Sequence, residues 1–380
     1  MRDRTALLAL VAFVALGLPD GMLGPAWPAI RSDLGQPLAA LGELTALLSA
    51  GFVVSSLVSA RLQRRLGPGT YVALGGTGSA AALALFASSQ WWAGLLVASL
   101  SLGVFGGCVD SGFNGHVALN HGPRLMNALH ACYGAGTTLG PLVVAAALAS
   151  GSWRWAWAVA AAFAGTVSVA LWASRDAFPV APPERWRDIV PSTSTRAATV
   201  LMLALFFLIV GIEVGIGAWS ATVLEHRGMS DGRAAVSVAS YWACFTAGRV
   251  GLAAAGRRLS PEATVRGGAA LALLGLVVLE WSPVGLPVAG LGLAGLFPAL
   301  VTLTPFRLGA DRARAAIGYQ FAAGTVGATS IVGAAGLTAQ FVGIGALVPF
   351  FVAAAAVLVA LELVAARASG SEPQSGPPRR

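Results

Sequence analysis

The chain is a series of apolar stretches, each about 20 residues long, separated by short polar segments. A stretch of this length crosses a bilayer as one α-helix, in which the backbone satisfies its own hydrogen bonds. The stretches are apolar on all sides and do not alternate, which excludes a membrane barrel. The pattern predicts twelve helices: Thr5–Ile30, Pro37–Ala60, Thr70–Ser88, Trp92–Ala118, Leu129–Ala149, Trp153–Ala173, Val200–Leu224, Ala234–Ala255, Val265–Trp281, Val284–Thr304, Ala315–Leu337 and Ile344–Val364.

One long polar segment divides this series. It covers residues 174–198 and contains four prolines and charges of both signs. We therefore predict a six-helix bundle over residues 1–173, a linker over 174–198 and a second six-helix bundle over 199–367. The tail, residues 368–380, is rich in Pro, Gly and Ser, and this composition predicts disorder.

Composition and charge support a membrane protein. Only 11% of the residues are charged and 56% are hydrophobic, whereas a soluble domain carries about 25% charged residues. The net charge is +8 and every basic residue is Arg. These arginines lie in short loops, which indicates membrane topology rather than nucleic-acid binding. The three cysteines lie inside apolar stretches and are interpreted as packing residues: Cys108, Cys132 and Cys244.

Arginine distribution predicts the orientation of the helices. Nineteen arginines fall at the termini and in the loops on their side, and four fall in the opposite loops. Because loops rich in Arg stay in the cytoplasm, both termini and the linker are predicted to be cytoplasmic, in the inner (plasma) membrane.

The two halves repeat with an offset of 193 residues. Arg64-Arg65-Leu66-Gly67-Pro68 recurs as Arg257-Arg258-Leu259-Ser260-Pro261, and the same offset relates Asp20 to Glu213. Two six-helix halves joined by a cytoplasmic linker are the layout of major facilitator proteins, whose site lies near the midplane between the halves.

Four ionisable residues lie deep within the predicted spans: Asp20, Asp110, Glu213 and Arg249. Each costs about 2.5–3.5 kcal/mol to insert, so such residues normally face the bundle interior and serve function. Glu213 and Arg249 form either a structural ion pair or a substrate contact. Asp20 and Asp110 have no basic partner within their own spans. A carboxyl group at low dielectric can take up and release a proton, so we predict that these two couple transport to protons.

Neighbouring polar residues extend this set. Asp110 and Asn114 are four apart and share a helix face. Asn127 and His130 are three apart and share a face if their helix starts early enough. His130 is either a proton relay or a structural histidine.

The helix-one and helix-four residues, together with the run Asn127-x-x-His130-x-x-x-Gly134-x-Gly136-x-x-x-Gly140-Pro141, resemble the fucose:proton symporter branch of the major facilitator superfamily. The resemblance implies that Asp20 and Asp110 bind proton and sugar. In that branch the helix-four acid is typically Glu and the His130 position is often Gln. The runs around Glu213 and Arg249 resemble patterns in relatives of the same branch.

Other residues are candidates for gating and sugar contact. The loop after helix two resembles the superfamily signature Gly-x-x-x-Asp-Arg-x-Gly-Arg, with Arg65 and Gly67 matching and Arg64 at the acidic position. It is either a gating loop or a simple positive-inside anchor. Trp219 and Tyr241 could stack on a sugar, and Gln320 could bind its hydroxyl groups.

The leading hypothesis is a proton-coupled symporter of a sugar or similar small polar solute. The alternative is a proton-coupled efflux antiporter for a drug-like compound or secreted metabolite. An enzyme is not expected, because no nucleophile–base set or metal-ligand cluster is apparent in the sequence. We expect a monomer in the lipid bilayer that binds a small solute and no nucleic acid, with the proton as coupling ion and neither cofactor nor metal.

Overall fold

A computed structural model describes residues 2–121, 123–178, 196–255, 259–308 and 310–370, and these residues form α-helices joined by short turns, with no strand among them. Eleven spans in this part of the chain are long and apolar enough to cross a membrane. The helices are α1 Arg2–Asp33, α2 Leu41–Leu66, α3 Pro68–Ser88, α4 Trp92–Asn120, α5 Pro123–Ala149, α6 Arg154–Trp172, α7 Arg196–His226, α8 Asp231–Ala255, α9 Pro261–Leu279, α10 Gly285–Leu293, α11 Leu296–Leu308, α12 Ala310–Phe341 and α13 Leu347–Gly370. The predicted all-α polytopic fold class is confirmed.

Helix α8 accounts for the difference between eleven apolar spans and the twelve predicted. It has 25 residues and is therefore about 38 Å long, but it carries Asp231, Arg233 and Arg249 and is not among the apolar spans. Helices α10 and α11 together form one span, Gly285–Leu308, with a turn at residues 294–295. The sequence predicted this span as one unbroken helix, and Gly295 and Pro298 explain the break.

The predicted boundaries differ from the observed ones at several places. Helix α2 continues to Leu66, so Arg64 and Arg65 lie in its last turn and not in the predicted loop. Helix α5 begins at Pro123, early enough to include both Asn127 and His130. Helix α13 continues to Gly370, past the predicted start of the tail at residue 368. Residues 179–195 of the predicted linker and 371–380 of the predicted tail lie outside the described residues.

Helix pairing follows the same order in both halves of the chain. The first span packs on the fifth, as α1 on α5 and α7 on α12. The third packs on the sixth, as α3 on α6 and α9 on α13. This agreement is what the 193-residue offset leads one to expect. The division at residues 174–198 itself stays a prediction.

Small residues allow the closest of these approaches. A Cβ added to Gly21 on α1 would overlap the Thr137 carbonyl on α5, and one added to Gly136 on α5 would overlap the Val14 carbonyl on α1. Only glycine lets the two backbones approach this far. The tight α1–α5 contact places Asp20 beside α5.

Candidate functional site

The carboxyl group of Asp20 is held by a tyrosine from a neighbouring helix. The Tyr133 hydroxyl on α5 donates a short hydrogen bond to Oδ2 of Asp20 on α1. Sequence reasoning did not select Tyr133. The available signal was its spacing, since Tyr133 follows His130 by three residues on the same helix.

The second carboxyl group lies on α4 and has an amide partner on its own helix. Asn114 Nδ2 donates to Asp110 Oδ1 over 3.0 Å, as the spacing of four predicted. Asp110 and Asp20 are close enough for their charges to interact. Both carboxylates therefore have neutral hydrogen-bond donors as their partners rather than basic side chains.

The third carboxyl group, Glu213 on α7, belongs to the other half of the chain. It interacts electrostatically with Tyr133 of the first half. The Arg249 Nη2 atom lies 3.9 Å from Glu213 Oε1. The predicted pairing of Glu213 with Arg249 is therefore present, although this separation is at the upper limit for an ion pair.

Arg249 is anchored mainly by contacts other than Glu213. Its Nε donates to the Ala294 carbonyl over 3.2 Å, and its guanidinium lies 4.2 Å from the centre of the Phe245 ring. Ala294 ends α10, and its usual i+4 partner is Pro298, which has no N–H. The free carbonyl accepts from Arg249 instead.

His130 and Asn127 are exposed residues of α5. The His130 ring packs edge-on against Phe13, with 6.0 Å between ring centres, and it interacts electrostatically with Arg249. The structure thus brings His130 towards the second half of the chain. Among the residues that the structure describes, none of the polar side chains of this site hydrogen-bonds Asn127.

Three further candidates are fully buried in helix packing. The Trp219 indole N–H donates to the Val332 carbonyl, and the Tyr241 hydroxyl donates to the Glu213 carbonyl over 2.9 Å. Gln320 exchanges hydrogen bonds with Thr304. Their polar atoms are thus already paired within the protein, and their predicted role in sugar binding has no support from this arrangement.

The predicted gating loop lies away from the polar set. Gly67 joins α2 to α3 with φ of +81°, which favours glycine. Arg65 is exposed. Among the residues that the structure describes, neither Arg64 nor Arg65 forms an ion pair. The proposed gating role stays a prediction.

The polar set as a whole consists of carboxyl, guanidinium, phenol and amide groups. Within the described ranges, no group of three or more His, Cys, Asp or Glu side chains is placed to hold a metal. The site instead combines three carboxyl groups, one guanidinium, a phenol and an amide, contributed by five helices: α1, α4, α5, α7 and α8. Such a set can bind and release protons and can hydrogen-bond a polar molecule.

Comparison with known proteins gives a family and a fold. A family model described as Major Facilitator Superfamily matches residues 9–328. A search of curated protein sequences gives no match.

Solved structures agree over nearly the full length of the chain. A bacterial homologue of the human lysosomal transporter Spinster is 14% identical, with a TM-score of 0.77 over 96% of this chain and 97% of that one. A D-xylose–proton symporter is 12% identical, with a TM-score of 0.74 over 96% and 97%. A nucleoside transporter is 12% identical, with a TM-score of 0.75 over 95% and 99%. At these identities the likeness concerns the fold.

Proposed function

The chain belongs to the Major Facilitator Superfamily, and we propose that it is a proton-coupled symporter of a sugar or similar small polar solute, related to the fucose:proton symporter branch. The family and its transporter fold indicate a membrane transporter. The symport mechanism, the solute class and the branch are our proposal.

One observation carries the proposal. The charges of Asp20 and Asp110 interact, and the side chains that hydrogen-bond these residues, Tyr133 and Asn114, are neutral. Two interacting like charges in a low-dielectric environment favour protonation of one of them. Proton uptake is therefore the direct way to neutralise this pair, and this is the chemistry that proton coupling needs.

Tyr133 offers a connection from the proton to the other half of the chain. Its hydroxyl donates to Asp20 while its ring position brings it within electrostatic reach of Glu213. Protonation of Asp20 weakens a charge-assisted hydrogen bond and so loosens Tyr133. We propose that solute binding between the halves, together with this change, favours the rocking motion of alternating access.

Contacts between the halves support a conformation that is closed on the side opposite the chain termini. There, Ser49 on α2 and Thr329 on α12 are hydrogen-bonded over 2.9 Å, and Ala39 N donates to Gln340 Oε1 over 3.3 Å. Gly24 on α1 packs against the Gly217 carbonyl on α7. With cytoplasmic termini, as the arginine bias indicates, we propose that these contacts close the outward side of a monomer in the inner membrane.

The test is transport into liposomes under an imposed pH gradient. We expect Asp110→Asn to abolish gradient-driven accumulation and to spare solute exchange, because exchange does not require proton release. The exposed Asp176, 92% accessible, provides the control Asp176→Asn, which we expect to behave as wild type. Gradient-driven accumulation at the wild-type level in Asp110→Asn would contradict the proposal.

A C-terminal reporter that is active only in the cytoplasm tests the orientation. We expect full activity from a fusion after Arg380. Activity of a C-terminal reporter that works only on the opposite side of the membrane would contradict the prediction of cytoplasmic termini.

Efflux of a cationic compound in exchange for protons is the second candidate. Asp20, Asp110 and Glu213 outnumber Arg249 in the site, and this excess of carboxyl groups favours a positively charged solute. For this function, we expect cells that express the protein to resist or export a cationic compound and to take up no sugar. Sugar-dependent proton entry into vesicles would decide against it.

A further inference from the structure

A small cavity lies beside Asp20, among the helices of the first half. It has a volume of about 30 Å³ and is lined by residues of α1, α2, α3, α4 and α6. Most of its wall is aliphatic or aromatic. Its polar side chains are Asp20 and Ser79.

Three oxygen atoms at this cavity are available to a small polar molecule. The Ser79 hydroxyl is buried and has no hydrogen-bond partner. Asp20 binds Tyr133 through Oδ2, and its Oδ1 has no partner among the described residues. Pro19 has no N–H for the Ala15 carbonyl, and both residues line the cavity.

We propose that this cavity binds one water molecule, held by Asp20, Ser79 and the Ala15 carbonyl. A water needs about 10–15 Å³ of such space and makes about three hydrogen bonds, which the cavity and its oxygens provide. The water accepts from the Ser79 hydroxyl and donates to Asp20 Oδ1 and to the Ala15 carbonyl. Divalent cations take about six or more oxygen ligands, so a set of three favours water.

The water gives Asp20 a partner that does not depend on the central site. This role rests on the proposed function. When the Tyr133 hydroxyl no longer donates to Oδ2 during transport, the water still stabilises the ionised carboxyl group through its hydrogen bond to Oδ1. An unpaired buried carboxylate is costly, so the water allows Asp20 to stay charged between solute-bound states.

Other titratable groups near Asp20 are few and can be controlled. Asp110 on α4 and Tyr133 on α5 face it, and Glu213 on α7 reaches Tyr133. The cavity residues from α2, α3 and α6 include no titratable side chain.

Infrared titration of the purified protein tests the proposal without any solute. The band of protonated Asp20 is identified by its loss in Asp20→Asn. In Ser79→Ala we expect the midpoint of Asp20 protonation to occur at a proton concentration about tenfold lower than in the wild type, or lower still. The reason is that the ionised form of Asp20 loses its anchored water. Ser79→Thr keeps the hydroxyl group and should restore the wild-type midpoint. The control is Ser168→Ala, which removes a buried hydroxyl paired with Thr77 outside the cavity.

Two results would overturn the water site. One is an unchanged midpoint in folded Ser79→Ala. The other is a thermal stabilisation by NaCl over choline chloride that Ser79→Ala abolishes, which would indicate a cation instead. Since neither measurement involves transport, a shifted midpoint in a protein that fails the liposome test would refute the proposed function alone.

Discussion

At the scale of single residues, the deep carboxyl groups were predictable, and the tyrosine that hydrogen-bonds Asp20 was not. Asp20 and Asp110 stand out because a charge inside an apolar span is costly. Tyr133 does not stand out, because a tyrosine is ordinary in a membrane helix. Its importance comes from the α1–α5 approach, and a linear sequence does not contain that distance.

Removing the Tyr133 hydroxyl is therefore a direct test at this scale. We expect Tyr133→Phe to lower proton-driven transport at least tenfold, since about 1.5–3 kcal/mol of charge-assisted hydrogen bonding to Asp20 is lost. Liposome uptake measures the effect. Tyr319→Phe is the matched control, because Tyr319 is 66% exposed; equal activity of the two variants would contradict the role.

The aromatic and amide candidates show a different difficulty, and their role in binding stays a prediction. Trp219, Tyr241 and Gln320 were selected for chemistry that suits a sugar. In the structure their polar atoms bind Val332, Glu213 and Thr304 inside the helix packing. A residue type that suits a ligand equally suits a buried structural contact, and sequence alone does not separate the two.

The Glu213–Arg249 pair can be resolved by a double-mutant cycle. Because the charges are 3.9 Å apart and Arg249 has other anchors, we expect a coupling energy below about 1 kcal/mol in thermal stability. We expect a larger coupling in solute affinity if the pair contacts the solute. Strong coupling in stability alone would make the pair purely structural.

At the scale of helices, many arginines predicted to lie in loops lie near helix ends, and their positions do not reveal buried pairs. Arg307 was counted as a loop residue at the end of its span. In the structure its guanidinium makes two hydrogen bonds to Glu362 on α13, of 2.9 and 2.7 Å, and both side chains are almost fully buried. The pair ties α11 to α13.

Removing one partner of the Arg307–Glu362 pair should destabilise the protein more than replacing both partners with apolar residues. We expect Glu362→Ala to destabilise the protein by about 3–5 kcal/mol, because Arg307 is left buried and uncompensated. The double variant Arg307→Met, Glu362→Leu should recover most of the loss. Thermal unfolding in detergent measures both, and a double variant no more stable than Glu362→Ala would contradict this account.

At the scale of the whole molecule, hydropathy and family pattern were sufficient for the fold class but not for the conformation. Apolar runs specify how many helices cross the membrane. Two states of a transporter differ by only a few kcal/mol, spread over contacts between distant residues such as Ser49 and Thr329. These contacts follow from packing and have no local sequence signal.

Gly24→Val tests the closed side. A Cβ at Gly24 would overlap the Gly217 carbonyl, so α1 and α7 must separate and the closed side should open. We expect faster maleimide labelling of Ser49→Cys in a background without Cys108, Cys132 and Cys244. Gly165→Val, at a glycine with open space around it, should leave the labelling rate unchanged. Slow labelling in Gly24→Val would show that the contact does not control the opening.

The bond from Arg249 to the Ala294 carbonyl has a consequence for the electrostatics of the site. A backbone carbonyl does not titrate, so this anchor holds the guanidinium at every pH. Protonation of Glu213 would remove its charge–charge attraction for Arg249, while the bond to Ala294 would remain. The break in the tenth span thus holds a permanent positive charge beside a carboxyl group, so a change in the charge of that carboxyl group would change the net charge of the site while Arg249 stays anchored.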